Sequence, residues 1–305
     1  MSTAAPTAEI VDAHHHLWDL RRNRYPWLVD EPMIPFRYGD YGKIRRDYLP
    51  ADYRRDSALQ NVVATVHMEA EIDHAHEVDE TRWIHEIAEV HGFPNAVVGH
   101  ARFARDDVAT VLAGHARYPL IRGIRQKPAA APSPDKVVRG APGSMSDPKW
   151  RAGFRLLAKH RLSYDLQTPW WHLAEAAELA RDFPDTIIIL NHTGLPANRS
   201  ARGVAGWREG MEIFAAAPNA RVKISGIGQP GTPWTLEANG PIVRETIRIF
   251  GVDRCMFASN FPVDGVCADF DTIFDGFKAA VADLSEGDRR KLFRDNALRT
   301  YRINL

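Results

Sequence analysis

Eight short apolar runs, each followed by an amphipathic stretch, constrain this 305-residue chain more than any other feature. The runs cover residues 9–14, 62–68, 96–102, 121–125, 163–167, 187–191, 221–225 and 254–259. They are continuously apolar rather than alternating in polarity, as expected of parallel strands buried on both faces. Between them, residues 76–91, 106–115, 148–160, 172–182, 204–216, 237–250 and 270–284 repeat apolar side chains near the three-to-four spacing of a helix packed on a sheet. Eight such units predict an α/β fold, a single (β/α)8 TIM barrel spanning residues 1–305 with 1–8 as a flexible tail. A doubly wound open sheet would carry a glycine-rich phosphate loop after its first strand. Here that position reads His14-His15-His16. An extra C-terminal helix over 286–301 opens on a cap signature, Ser285 with Asp288 three residues on.

Two loops interrupt the rhythm, 17–56 after the first strand and 128–147 after the fourth. Both leave the carboxyl ends of strands, the face where such barrels do chemistry, and loops of this length are expected to act as lids. Formal charges cancel, with 39 basic and 39 acidic residues, which argues against nucleic acid or a membrane surface as a partner. The start of the chain lacks the basic and apolar pattern of a secretory signal, and no apolar stretch has membrane-spanning length, so a cytoplasmic protein is expected. The two cysteines, Cys255 and Cys267, form no metal-type pair and are expected to be reduced. Of the 13 histidines, His91 and His115 near helix ends are expected at the surface.

His14 and His16 are two apart, so on an extended backbone their rings share a side while His15 faces the other way. Two imidazoles there can share a metal ion or a substrate oxygen. At or just past the other strand ends stand Glu69, Arg102, Arg125 and Lys127, Gln167, His192, Lys223 and Ser225, and Asn260. A polar, histidine-rich set at one end of apolar strands is costly unless each group is paired or used.

The chain resembles the amidohydrolase superfamily, in its branch of lactone-hydrolysing barrels, which includes 2-pyrone-4,6-dicarboxylate lactonase, L-fuconolactonase, L-rhamnonolactonase and 4-sulfomuconolactone hydrolase. The resemblance rests on Asp12-Ala13-His14-His15-His16-Leu17-Trp18-Asp19, Tyr25-Pro26-Trp27-Leu28, Glu80-Thr81-Arg82-Trp83 and Arg122-Gly123-Ile124-Arg125. It continues through Leu190-Asn191-His192-Thr193-Gly194-Leu195-Pro196, Val222-Lys223-Ile224-Ser225-Gly226 and Phe257-Ala258-Ser259-Asn260-Phe261-Pro262-Val263. These pieces occur in the family's order over almost the whole chain.

The resemblance implies a hydrolase, a carboxylic ester hydrolase of the lactonase type, acting on a small anionic ring substrate. His14 and His16 match the family's first-strand pair and His192 its sixth-strand histidine. These three are the metal ligands if a divalent ion, zinc first, is bound; metal-independent action is also compatible with this branch. Arg125 matches a basic residue that grips substrate. Asn260 departs from the usual Asp, and an amide cannot take a proton. Gln167 stands where metal-binding relatives carry a histidine. Asp264, four residues past Asn260, is a candidate for the missing carboxylate.

Each assignment has a structural alternative. His192 can simply start a loop among turn formers. Arg125 can pair with Glu69, and Lys223 either pairs with Glu69 or faces the mouth. Of Trp170 and Trp171, one packs on the barrel and the other lines the pocket. His67 reads as a core histidine. The expected reaction is attack of water on a polarised carbonyl. Without a metal, protonated imidazoles and Arg125 would stabilise the oxyanion. Trp27, Arg37, Tyr38 and Tyr41 of the first loop would close over the substrate. Two other readings stay open: a metal-dependent decarboxylase of an aromatic or unsaturated acid, and a non-catalytic binding barrel. The sequence neither requires nor excludes a homo-oligomer.

Overall fold

The computed structural model describes residues 8–305, so the tail expected over 1–8 lies almost wholly outside the described residues. Eight strands follow one another around a single parallel sheet: β1 (Ile10–His15), β2 (Val62–Met68), β3 (Ala96–His100), β4 (Ile121–Arg125), β5 (Ser163–Leu166), β6 (Ile188–Leu190), β7 (Ala220–Ile224) and β8 (Cys255–Phe257). The chain beyond β8 returns to β1, where Asn260 N–H donates to the His14 carbonyl at 2.8 Å and His16 N–H to that of Phe261 at 2.7 Å. That contact closes the sheet into a (β/α)8 barrel.

Alternation along the strands divides the core in two. Val11, Ala13, Val66, Val98, Ile189 and Met256 fill the barrel interior with Ala297, Tyr301 and Ile303 of the C-terminal segment, which plugs one end. Ile124, Leu166, Leu190, Ile224 and Phe257 face outward onto helix side chains such as Trp83, Leu112, Leu179 and Phe214. The helices start where side chains can take their first free N–H groups. Ser200, Thr235, Asp269 and Ser285 each accept a backbone N–H at such a start.

Four details differ from the sequence expectation. β6 and β8 end earlier, because the residues beyond them leave the ladder to build the site, and β3 ends at His100. The final helix is interrupted by a π turn, Lys291–Asp295, between Glu286–Arg290 and Asn296–Tyr301. His115 is not a surface residue: it continues the Val108 and Leu112 face of its helix and is fully buried. It is bonded to Thr81 Oγ1 at 2.9 Å and to the His100 carbonyl at 2.8 Å. The first loop is not an open flap. Trp18, Tyr38, Tyr41 and Tyr48 are buried, and Trp27 stacks on Phe36 with centroids 5.8 Å apart. Among the described residues no helix is long and apolar enough to cross a membrane, and both cysteines are free.

Candidate active site

The pairing of β1 with β2 slips between Asp12 and His15, three residues on β1 spanning two on β2. Such a bulge re-aims side chains at a strand end. His14 and His16 meet, Nε2 to Nε2, at 3.3 Å. His15 turns to the outer layer, bonded to Thr65 Oγ1 at 2.9 Å and packed on Tyr53. Asp12 underlies the turn: its carboxylate accepts from Ser259 N–H at 2.8 Å, Ser259 Oγ at 2.6 Å and the Tyr53 hydroxyl at 2.8 Å. It thereby ties β1 to the chain after β8, a role that only the fold shows.

The other histidine arrives on a strained turn. His192 and Thr193 have φ of 55° and 50°, and Asn260 has φ of 54°. Left-handed backbone at non-glycine residues costs about 1–3 kcal/mol each and clusters at functional sites. The His192 ring lies 4.8 Å, centroid to centroid, from that of His14, and its Nδ1 is bonded to Ser225 Oγ at 2.9 Å. His16 Nδ1 is bonded to the Met68 carbonyl at 2.9 Å, so that nitrogen carries the proton and Nε2 keeps its lone pair.

Asn260 Oδ1 lies 3.3 Å from His16 Nε2, and its Nδ2 donates to Asp264 Oδ1 at 2.6 Å. Asp264 also accepts from the Tyr38 hydroxyl at 2.8 Å and from Gly226 N–H at 2.9 Å, with Arg37 Nη2 at 3.6 Å. Its oxygens are therefore taken up in holding Asn260, the first loop and the loop after β7. Asp264 joins the site through Asn260, not as an open base.

Arg125 is buried, with Nε on the Glu69 carboxylate, Nη2 on the Glu69 carbonyl at 2.6 Å and Nη1 on Gln167 Oε1 at 3.2 Å. Three of its N–H groups hold the barrel rim together. Lys223, expected at the mouth or on Glu69, instead lies inside the barrel, 2.7 Å from Asp165, which also accepts from the Tyr301 hydroxyl at 2.6 Å. A fully desolvated ammonium needs a carboxylate, and Asp165 on the inward face of β5 supplies it. Arg102 lies 3.7 Å from Glu77 and Lys127 pairs with Glu71, so neither joins the histidines. Glu80, from the matched Glu-Thr-Arg-Trp piece, accepts from Ala70 N–H at 3.0 Å; burial and then Glu69 push its carboxyl up to about 8. His67 is buried in the core.

Trp170 and Trp171 both line a cavity of about 940 Å³ beside the histidines, where one was expected to pack away. Their rings meet edge to face at 5.5 Å, and Trp171 Nε1 donates to the Ala131 carbonyl at 2.9 Å.

Burial holds His14, His16 and His192 well below the usual imidazole range. Lys223 and His192 reinforce it for His14, Arg125 for His16, and Arg37 and Arg125 for His192. The imidazoles are neutral, so the expected protonated set is corrected: a cation among cations is excluded from water's help.

The amidohydrolase family model matches this chain over residues 11–303. The chain belongs to the amidohydrolase family. It is 44% identical to the uncharacterized protein y4mH of Sinorhizobium fredii, over 96% of this chain and 98% of that one. It is 27% identical to L-fucono-1,5-lactonase of Burkholderia ambifaria, over 96% of both chains. Among solved structures, a Burkholderia multivorans amidohydrolase with bound zinc shares the fold at a TM-score of 0.80, with 24% identity and coverage of 97% of this chain and 100% of that one. A 2,6-dihydroxybenzoate decarboxylase from Rhizobium shares it at 0.64, with 16% identity over 98% and 99% of the two chains.

The spacing of the site's own donor atoms sets which divalent ion it could hold. Two ligands about 2.0–2.1 Å from a tetrahedral zinc stand about 3.4 Å apart. The His14–His16 and His16–Asn260 separations, both 3.3 Å, fit that edge. His14 Nδ1 is buried without a partner. Among the described residues no three His, Cys, Asp or Glu side chains converge at ligand distance, so the fit is to two imidazoles and an amide oxygen, with His192 beside them.

Proposed function

We propose that this amidohydrolase opens a lactone, or a related cyclic ester, of a small anionic ring substrate. The observation that carries the reading is the row His14 Nε2, His16 Nε2 and Asn260 Oδ1, spaced 3.3 Å apart at the carboxyl ends of β1 and β8, in which the His16 nitrogen and the Asn260 oxygen are acceptors. Such a row suits a water molecule held for attack. Asn260 Oδ1 accepts one of its protons and fixes its orientation. His192, neutral and held at Nδ1 by Ser225, is the base in reach of the cluster. A divalent ion, where held by His14, His16 and the Asn260 amide oxygen with His192 beside them, would polarise the carbonyl as a Lewis acid. The lactonases among its relatives favour ester hydrolysis over decarboxylation.

The test is proton release from sugar-acid lactones, muconolactones and pyrone carboxylates, with His192→Ala as control and with and without chelator. Hydrolysis that His192→Ala lowers by about 100-fold or more supports the reading. Carbon dioxide release from an unsaturated acid in its place would move the assignment to decarboxylation.

A further inference from the structure

The cavity of about 940 Å³ lies over the β5, β6 and β7 ends and shares a wall with the histidine cluster. Gly226 forms that wall. Its φ is +62°, and a Cβ there would come 2.6 Å from the His192 ring and 2.7 Å from Arg37 Nη2. A ligand filling the cavity would therefore lie within one residue of His192.

The walls combine two chemistries. One is apolar: the indole of Trp170 packs closely on Gly206, where a Cβ would meet the ring at 2.5 Å. The other is cationic. Arg37 reaches the Gly226 carbonyl at 3.3 Å and lies 4.4 Å over the Tyr38 ring. Arg199 donates through Nη2 to the Ile227 carbonyl at 2.8 Å and to Asn239 Oδ1 at 3.3 Å, while its Nε and Nη1 are buried without a partner. Among the described residues no carboxylate pairs with Arg199. Orphaned guanidinium donors packed inside a cavity wall are costly, and a small rotation of the Arg199 side chain would turn them to an anion in the cavity. The 15-residue helix Ala201–Ala215 begins at the same wall and adds its N-terminal partial charge. The acids lining the cavity, Asp135 and Glu209, are exposed on its rim, and Asp264 lies behind the wall, 3.6 Å from Arg37 Nη2.

We propose that this cavity selects a ring substrate bearing a distal carboxylate, its flat apolar face on Trp170 and its carboxylate between Arg37 and Arg199. The substrate class is then an unsaturated or aromatic-type lactone acid, not a polyhydroxylated sugar lactone. A sugar ring would need many convergent polar partners, and here tryptophan and proline walls face the ligand. This rests on the lactonase reading for the reaction but not for binding. Arg199 acts as a specificity-determining residue, and nothing in its role requires it to touch the reacting carbonyl.

Isophthalate, an aromatic dicarboxylate with no lactone to open, is the probe. Its binding to the full-length protein is followed by calorimetry and tryptophan quenching, against dimethyl isophthalate and D-glucono-1,5-lactone. Isophthalate is expected to bind at least tenfold more tightly than either neutral compound. Arg199→Gln is expected to weaken it at least tenfold, Arg199→Lys to restore part of the affinity, and Arg248→Gln, at a surface arginine paired with Glu212 and Glu245 away from the cavity, to leave it within about twofold. Thermal unfolding of each variant identifies any loss due to misfolding, and Arg199→Lys keeps the test open if Arg199→Gln does not fold. Equal binding of the diester or the sugar lactone, or unchanged isophthalate affinity in Arg199→Gln, would overturn the proposal. Isophthalate binding without hydrolysis of any lactone would count against the lactonase reading and leave this one standing.

Discussion

Asp264 fixes which end of the Asn260 side chain faces the histidines. A carboxylate accepts hydrogen bonds and cannot donate them, so the amino group of Asn260 turns to Asp264 at 2.6 Å and the amide oxygen is left 3.3 Å from His16. The position usually held by a carboxylate is thus occupied by a neutral oxygen oriented by a carboxylate one step further out. Asn260→Asp, which would restore the usual residue, sets two buried carboxylates against each other. It is expected to destabilise the protein by about 2–4 kcal/mol in urea unfolding, and Asn260→Asp with Asp264→Asn to recover most of that loss. A stable Asn260→Asp single variant would contradict the arrangement.

Gly226 stands between the site and the cavity. Gly226→Ala places a methyl group into the His192 ring at a backbone φ of +62°. The expected cost is about 2 kcal/mol or more in stability, with kcat on any lactone substrate falling about 100-fold as His192 is displaced. Circular dichroism melting and steady-state kinetics check the two parts separately.

The Lys223–Asp165 pair, with Tyr301 on Asp165, ties β5 and β7 to the C-terminal plug inside the barrel. Lys223→Met leaves a buried carboxylate with only a hydroxyl partner and is expected to cost about 3–5 kcal/mol. Adding Asp165→Asn removes the stranded charge, and urea unfolding should then show most of the stability restored. Additive losses in the double variant would show that the two side chains do not act as a pair.

Away from the histidines, His100 lies 2.9 Å from Glu77, stacked against His74 at 5.1 Å, with Arg102 and Arg105 on the same carboxylate. Burial alone would discharge His100, but Glu77, Glu69 and Glu71 outweigh it and raise its pKa; burial would likewise raise Glu77, but His100, Arg105 and Arg102 outweigh it and lower its pKa. A raised histidine pKa contributes stability below its unfolded value of about 6.5 and loses it as pH rises through the folded value. A lowered carboxylate contributes above about 4.3 and loses it as pH falls. The stability gap between the wild type and Glu77→Gln is therefore expected to be largest between those limits. It should narrow from pH 6 to pH 9 in urea titrations, and a gap that widens over that range would contradict the assignment.

The parts of this molecule readable in sequence were those fixed by local periodicity. β2 and β4 begin and end where the apolar runs do, and the His14–His16 pairing follows from strand alternation, although a bulge was needed to bring it about. The ends of β6 and β8 were not readable, because His192–Gly194 and Asn260 leave the ladder through left-handed backbone that no propensity signals. Partners across the fold were also hidden: nothing near Lys223 points to Asp165, and nothing near Asp264 points to Tyr38, 226 residues away. His115 could have been placed correctly, since it lies in register with Val108 and Leu112 on one helix face.

The central claim is that water, held between the histidines and Asn260, attacks a ring carbonyl. Turnover of the lactone panel in H2-18O, followed by mass spectrometry of the product, tests it most directly. One 18O atom in the newly formed carboxylate, with no carbon dioxide released, is the predicted result, and His192→Ala should abolish the incorporation. Carbon dioxide release, or a ring-opened product without the label, would contradict it.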